Sequence, residues 1–454
     1  MTLNIEMKSI YQQWGFASSP FQTTALPSND VGAKLLTGRE KELGTLIKRI
    51  IGVPKFATVE GLNGVGKTSI ANVAAHHLFQ SHLKTGEGPL FIPCRKIFQL
   101  RPNQNLESFV DDVLFEVAQT LIEKAEETSR ANIHTQTKSI NMWLNSPQLK
   151  SFQAGFQLAT FGMSAGEQSE INTSKGFEKS GFRRAITEWL RNIFPTPESG
   201  GVICIIDNLE LLQSSEDAKA LIEQLRDDLL TAQGLRWVLC GALGIVYGVV
   251  ASPRLEGYLH KPIVVGEIDA KHAPDILKNR IGVYASPGSK SVLPLLPTDF
   301  AELYKILHGI LRSVLSSADD FCNWVDEREP PTDDAQRHTL FTEWLNEQSA
   351  DAYGAVQRQL RATALRVFDH AVSIGGVFSP SDFSDFGFNG IPQFRPSIKD
   401  LEIAGLLVST RDDGDKRRKT IQITAKGWLI NHHLQHGKNV VIEPKPEDPL
   451  QDPN

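Results

Sequence analysis

Cysteine is scarce in this chain: four in 454 residues, Cys94, Cys204, Cys240 and Cys322, with no C-x-x-C pair. That spacing excludes a dense disulfide framework and a thiolate metal site. With Cys204 and Cys240 inside apolar runs, it reads as reduced core thiols in a cytoplasmic protein. Long apolar runs are missing too. None approaches the roughly 20 residues that cross a bilayer, and the first residues lack the basic-then-apolar layout of a signal peptide. No membrane partner is expected. Nor is there an excess of positive charge: 47 Lys+Arg against 53 Asp+Glu leave −6. A uniformly basic nucleic-acid coat is therefore excluded, and any such contact must come from a local patch. What remains, 41% hydrophobic and 22% charged, is globular, and at this length about two to four domains are expected.

The stretch 55–80 organises the rest. A short apolar run, Phe56, Ala57 and Val59, meets Gly61-Leu62-Asn63-Gly64-Val65-Gly66-Lys67-Thr68, and a helical pattern follows at once. The octet fits G-x-x-x-x-G-K-[ST], the phosphate-cradling P-loop. Its glycines let successive backbone N–H groups converge on one anion, and the helix adds its positive N-terminal end. Lys67 is expected to reach the β/γ-phosphates and Thr68 to place its hydroxyl on Mg²⁺, so ATP and Mg²⁺ are the expected ligands, with Ser69 closing the binding segment.

Before this stretch, Trp14-Gly15-Phe16 and Pro20-Phe21 read as a segment packed on a domain surface, and Gly38-Arg39-Glu40 opens an amphipathic helix with Leu43, Leu46, Ile47 and Ile50 at helical spacing. After it come a strand candidate at 89–93 and a helix carrying Phe109, Val113, Leu114, Val117 and Leu121. Residues 126–180, rich in Ser, Thr, Gln, Asn and Gly, read as an insertion, either a β-hairpin (Phe156 and Leu158, then Phe161 and Met163) or a disordered loop. The run Gly201 to Ile206 ending in Asp207-Asn208-Leu209-Glu210 has the form of a buried parallel strand closed by an acid. Asp207 is expected to hold Mg²⁺. Glu210 either polarises the attacking water or is simply an acid at a helix N-terminus. Strand candidates at 236–240 and 262–265 complete an alternation that implies a parallel sheet with helices on both faces.

Taken together, the Gly38-Arg39-Glu40 approach, the P-loop, the strand ending in Asp207 and the helical region after the last strand resemble an AAA+ ATPase. The pattern is most similar to the branch holding the origin-recognition and helicase-loading initiators and the STAND ATPases. That resemblance implies an adenine pocket along Leu36 to Arg39, including Gly38, and a helical lid over 268–326 with helices at 273–283 and 300–324. It also implies a sensor-2 arginine at Arg312 within His308-Gly309-Ile310-Leu311-Arg312-Ser313, although an ordinary surface arginine fits there too. Arg254 is a weaker candidate arginine finger. Two departures matter: Asn208 stands where the family usually has glutamate, and the fourth strand runs into Cys240-Gly241-Ala242 without a polar sensor. Slow, regulatory ATP hydrolysis is the expectation they support.

Residues 327–354 read as linker and helix. From 355 to 436 three helical patterns precede a hairpin around Asp412-Asp413-Gly414-Asp415, and residues 437–454 read as a disordered tail. The stretch from Leu401 to Gly427 resembles MarR-type winged helices. The resemblance puts Arg395, Ser397 and Lys399 toward a DNA groove, with Arg411, Lys416, Arg417 and Arg418 at or near the wing tip. Eleven Lys/Arg against eight Asp/Glu over 355–436 make this region basic in an acidic chain. The same hairpin could instead serve protein contacts. The expected architecture is thus an α/β P-loop AAA+ core (55–267) behind an N-terminal segment (1–54), with a helical lid and a C-terminal winged helix. The expected function is an ATP switch binding double-stranded DNA in replication, transposition, transcription or defence, assembled as an ATP-dependent homo-oligomer, with a partner protein from the same operon possible. The alternative is a STAND-type signalling or scaffold ATPase, for example in anti-phage defence.

Overall fold

Side chains alternate between the faces of a strand, and the central strands here are apolar on both. In β3 (Gly200–Ile206) and β4 (Leu235–Gly241) every residue is buried. Ile203, Ile205, Val238 and Cys240 pack on one side with the P-loop helix (Lys67–Thr85) and the helix Glu40–Ile51. Val202, Cys204, Trp237 and Leu239 pack on the other with helices Leu106–Glu123, Lys179–Ile193 and Ile245–Val250. Strands apolar on both faces need cover on both, which is the parallel arrangement. With β1 (Ala57–Gly61), β2 (Leu90–Phe98) and the short edge strand β5 (Ile263–Val265), the sheet runs β2-β3-β4-β1-β5, parallel throughout. The register Glu60↔Gly241 and Val59↔Ile263 brings the end of β1 between the ends of β4 and β5, where parallel sheets hold ligands. This is the expected P-loop α/β fold.

The computed structural model describes residues 8–130, 179–212, 215–357, 359–410 and 420–436. Most of the expected insertion, including Phe156 to Met163, lies outside them, as do Arg411, Lys416, Arg417, Arg418 and the tail. Among the described residues no helix is long and apolar enough to cross a membrane.

The lid differs from expectation in one respect. Its first helix, Ala273–Tyr284, stands where anticipated, but the helix expected over 300–324 is two, Pro297–Ile306 and Leu311–Asp326. His308 and Gly309 adopt φ of +46° and +66°, left-handed values that a helix interior does not admit. Consequently Arg312 falls in the first turn of a new helix.

Beyond the lid, the helix Asp334–Gly354 is capped by Asp333, whose side chain accepts from the Gln336 N–H. It lays Phe341 and Trp344 on Phe321 of the lid, with ring centroids 5.7 and 5.5 Å apart. The C-terminal unit has helices Ala362–Ser373 and Ile391–Ile403 and a three-stranded antiparallel sheet of β6 (Val377–Phe378), β7 (Leu407–Thr410) and β8 (Thr420–Ile423), in the order β6-β8-β7. Its last helix, Ala425–His436, packs on Asp334–Gly354. This arrangement is compatible with a winged helix. Lid and C-terminal unit share one continuous core that includes Phe321, Trp344, Phe368, Phe394 and Trp428.

The junction of lid and long helix carries a titratable contact. Asp299, 1% exposed, accepts from His338 Nδ1 at 2.8 Å, while its Oδ2 is buried with no partner among the described residues. The hydrogen bond and the charge of Asp299 raise the His338 imidazole above its ordinary range. A raised imidazole stabilises the fold below its unfolded value of about 6.5 and loses that contribution as pH rises through the folded value. The urea midpoint of the native chain is therefore expected to fall from about pH 6 to about pH 8 relative to that of His338→Ala; parallel curves would show that the pair adds nothing.

Candidate nucleotide site

The turn after β1 is shaped by what cannot be there. A Cβ at Gly61 would lie 2.4 Å from the Val265 carbonyl oxygen. Gly64 and Gly66 have φ of +83° and +96°, conformations that side-chain-bearing residues avoid. The helix Lys67–Thr85 then starts with no side-chain cap at Gly66, leaving its first N–H groups free for an anion. Lys67 is buried, its Nζ donating to the carbonyls of Gly61 at 3.0 Å and Leu62 at 3.1 Å. An incoming phosphate must compete with those two acceptors.

Asp207, at the end of β3, is 5% exposed. Its Oδ2 accepts from Thr68 Oγ1 at 2.5 Å, and its Oδ1 is buried with no partner among the described residues. Burying a carboxylate oxygen unpaired costs free energy. A hydroxyl and a carboxylate with a spare oxygen are the hard donors that Mg²⁺ takes, so these residues fit that ion.

Asn208 follows with φ +58° and lines the cleft. The left-handed turn, which Asn tolerates better than most residues, carries the chain toward β4. There Glu210 Oε2 accepts from the Ala242 N–H at 3.0 Å. Cys240 at the end of β4 is fully buried, and burial together with the nearby Asp207 charge pushes its thiol well above the ordinary range.

An open cleft runs from the phosphate turn to the lid. Asn63 to Ser69 line it from the core, and Leu311, Arg312 and Leu315 line it from the lid. A Cβ on Gly64 would stand 3.3 Å from Arg312 Cβ, so the lid arginine lies directly over the phosphate turn; its side chain is exposed.

Other expected residues are placed differently. Arg39 lines the cleft but is 3% exposed, donating to Val65 O at 3.0 Å, Gly266 O at 2.6 Å and Glu42 Oε1 at 3.1 Å. Its guanidinium is used in binding the P-loop to the segment just after β5, at Gly266 (the hinge side of the lid in the resemblance above). Gly38 packs against the hinge, where a Cβ would lie 2.8 Å from Ile268 Cγ2. Ser69 Oγ accepts from the Leu26 N–H at 3.0 Å. Arg254 is 74% exposed, 3.7 Å from Glu223. On the helix Ile391–Ile403, Arg395 and Lys399 are exposed. Ser397 is 3% exposed, on the inner side with Phe394, Ile398 and Leu401; it faces the core, and its expected role at a groove is withdrawn.

No protein-family model and no curated protein sequence matches the chain. Solved structures do. The chain is similar to the Aeropyrum pernix ORC2 protein in its ADPNP–ADP complexes, at 12% identity over 92% of this chain and 97% of that one, with a TM-score of 0.44. It is similar to the Aeropyrum pernix ORC1 protein in complex with DNA, at 15% identity over 89% and 96%, TM-score 0.40. It is also similar to a Walker-type ATPase of Pyrococcus abyssi, at 14% identity over 91% and 99%, TM-score 0.41. The fold assignment rests on this chain's own strand order and registers.

Two charged residues escaped the sequence reading. Glu60, last but one in β1, is 8% exposed and accepts from the Gly244 N–H at 3.4 Å; burial raises its carboxyl pKa while the Gly244 and Tyr247 N–H groups lower it. Its signal was an acid closing an apolar strand. Arg280 in the lid is 5% exposed, and burial lowers its pKa to about 10; it lay inside an amphipathic pattern with nothing to mark it.

The clamp at Arg39 yields a prediction. Arg39→Met leaves the Val65 and Gly266 carbonyls without their donor and should lower unfolding free energy by about 2–3 kcal/mol, given ~1.5–3 kcal/mol for a hydrogen bond to a charged group. Urea denaturation without ligand measures it; an unchanged midpoint would return Arg39 to a purely ligand-facing role.

Proposed function

We propose that this chain is an ATP-binding switch whose lid carries the nucleotide state to a C-terminal winged helix that binds double-stranded DNA. The observation supporting the first half is the convergence of three elements beside an uncapped helix N-terminus: Lys67 and Thr68 on the P-loop helix and Arg312 on the lid line one cleft, and Asp207 after β3 joins it through Thr68. In this reading the P-loop N–H groups and Lys67 bind the phosphates, Thr68 and Asp207 hold Mg²⁺, and Arg312 draws the lid onto the terminal phosphate. Mg²⁺, when bound, neutralises phosphate charge. Glu210 has one carboxylate oxygen tied to the Ala242 N–H and no glutamate follows Asp207, so turnover is slow and binding itself is the signal. A second subunit docking on the nucleotide face belongs to the same reading.

The path to the winged helix is short. Four residues before Arg312, His308 stacks on Trp428 of the last helix, centroids 3.4 Å apart and planes 11° apart. On its other side Trp428 fills the space over Gly376, where a Cβ would lie 2.4 Å from the indole. Any shift of Arg312 toward a phosphate therefore bears on the joint of the winged helix. Arg395 and Lys399, exposed one turn apart, suit phosphate or base-edge contacts.

A specific observation favours a second reading. Ile403 is 74% exposed at the end of the same helix and Val408 is 49% exposed on β7. Exposed apolar residues suit a protein partner, the STAND-type alternative.

Two experiments decide. Mg·ATP should raise the melting temperature of the native chain; Lys67→Ala should abolish the shift, Asp207→Asn should remove its magnesium dependence, and Glu210→Gln should keep the shift while stopping turnover. No shift in the native chain removes the nucleotide reading. Fluorescence anisotropy with a labelled duplex should give binding that weakens with salt at roughly 0.9 per phosphate contact in log–log slope, lost in Arg395→Ala/Lys399→Ala and insensitive to ATP in Trp428→Phe/His308→Ala. Absence of duplex binding at low salt with ATP present selects the protein-partner reading.

A further inference from the structure

The N-terminal residues expected merely to pack on a surface run across the cleft as a strap held at both ends. On the lid side, Arg280 Nη1 donates to the carbonyls of Pro20 at 2.7 Å and Gln22 at 3.1 Å. On the core side, the Leu26 N–H donates to Ser69 Oγ at 3.0 Å and the Leu26 carbonyl accepts from Asn72 Nδ2 at 2.8 Å. Both core partners lie on the first turns of the P-loop helix. From the first grip to the second, residues 23–26 line the cleft, as do the apolar side chains of Leu35, Leu36, Ile268 and Ile276.

The lining of the cleft thus combines two chemistries. One part has the glycine turn, Lys67, Thr68 and Arg312, suited to anionic oxygens. The other pairs branched aliphatic side chains with backbone amides and the Thr23 and Thr24 hydroxyls, suited to a flat heteroaromatic ring with polar edges. Strap backbone is accurate only if its ends are fixed, because an unanchored segment loses on the order of 1–2 kcal/mol of conformational entropy per residue when a ligand orders it. Arg280 fixes one end. It is almost wholly buried, and the same nitrogen serves both carbonyls, so its loss frees two acceptors together.

We infer that Arg280 is a positioning residue for the base of the bound nucleotide, acting through the strap, with Asn72 holding the strap's other end. The inference rests on the nucleotide reading above and adds to it a device that acts on the base end alone. It also makes the strap a tie between lid and core, since Arg280 moves with the lid and Asn72 with the P-loop helix.

Calorimetric titration of the full chain with Mg·ATP and with Mg·tripolyphosphate, which has the phosphates and no base, tests it. Arg280→Met and Asn72→Ala should each weaken ATP binding about tenfold, the scale of one anchoring hydrogen bond. The double variant should be no weaker than the worse single one, because both cut the same strap. Arg280→Lys should recover most of the affinity, and tripolyphosphate should bind all four variants as it binds the native chain. Native-like ATP binding by Arg280→Met, equal losses for both ligands, or additive losses in the double variant would overturn the inference. If Arg280→Met does not fold, Asn72→Ala with the same two ligands decides alone. A native chain that binds neither ligand would instead remove the nucleotide reading.

Discussion

The buried guanidinium of Arg39 is the contact on which the rest of the site hangs. It donates to the P-loop at Val65, to the hinge at Gly266 and to Glu42 on its own helix. The P-loop at Val65 and the segment at Gly266 are irregular backbone, and irregular backbone is not rigid unless its carbonyls are satisfied. Burying a guanidinium is unfavourable without full pairing; here several acceptors converge on it, so the desolvation is offset and the segments lose their independent motion. With the segment after β5 tied to the P-loop through Arg39, the start of the lid is fixed beside the phosphate turn. Arg312 therefore stays over Gly64 rather than somewhere on the lid's larger surface.

That framework explains which features could be read from the chain and which could not. The phosphate turn was legible because its requirement is local: left-handed φ at Gly64 and Gly66 is met by residue type alone. So was β3, whose apolar run ends in an acid. The order of the strands was not, since parallel pairing is settled by crossovers of dozens of residues rather than by any one segment. The break in the lid was misread because apolar periodicity continues on both sides of His308, and only Gly309 betrayed the interruption. The error at Ser397 was one of period. Residues 395, 397 and 399 share a face in a strand, but at about 3.6 residues per turn 395 and 399 lie together while 397 points to the far side. The strap left no pattern at all, because its bonds join backbone carbonyls to a side chain some 258 to 260 positions away.

A second regularity is where the structure leaves polar groups unpaired. Among the described residues, Asp207 Oδ1 is a buried oxygen without a partner, and Arg312 is an exposed cation facing a cleft that also holds Lys67. Lys67 is held by the Gly61 and Leu62 carbonyls, but an exposed cation and a carboxylate oxygen buried without a partner leave the cleft incompletely satisfied without ligand. The deficits have the pattern of a polyanion and a divalent cation, and supplying those partners would stabilise the liganded arrangement over the bare one. Glu210, tied to Ala242, and Glu60, tied to Gly244, show the contrasting case. Two acids brace the loop after β4, the place where the AAA+ resemblance led us to look for a polar sensor, so that loop is held as framework.

The same logic bears on how far a change at the phosphate turn can travel. Packed interfaces switch between discrete arrangements rather than bending smoothly, and lid and C-terminal unit share one core with Trp428 at its seam. His308 holds a left-handed backbone without being glycine, a conformation that persists only where surroundings enforce it, and the enforcing surroundings are the indole of Trp428 on one side and the lid turn at Gly309 on the other. A rotation that brings Arg312 onto a phosphate must either carry the indole along or break the stack. Breaking it would uncover one face of an indole now 2% accessible and forfeit a ring contact worth about 0.5–1.5 kcal/mol beyond the area it buries. In the switch we propose, moving the C-terminal unit with the lid avoids that loss, and the coupling rests on the packing rather than on a dedicated linkage.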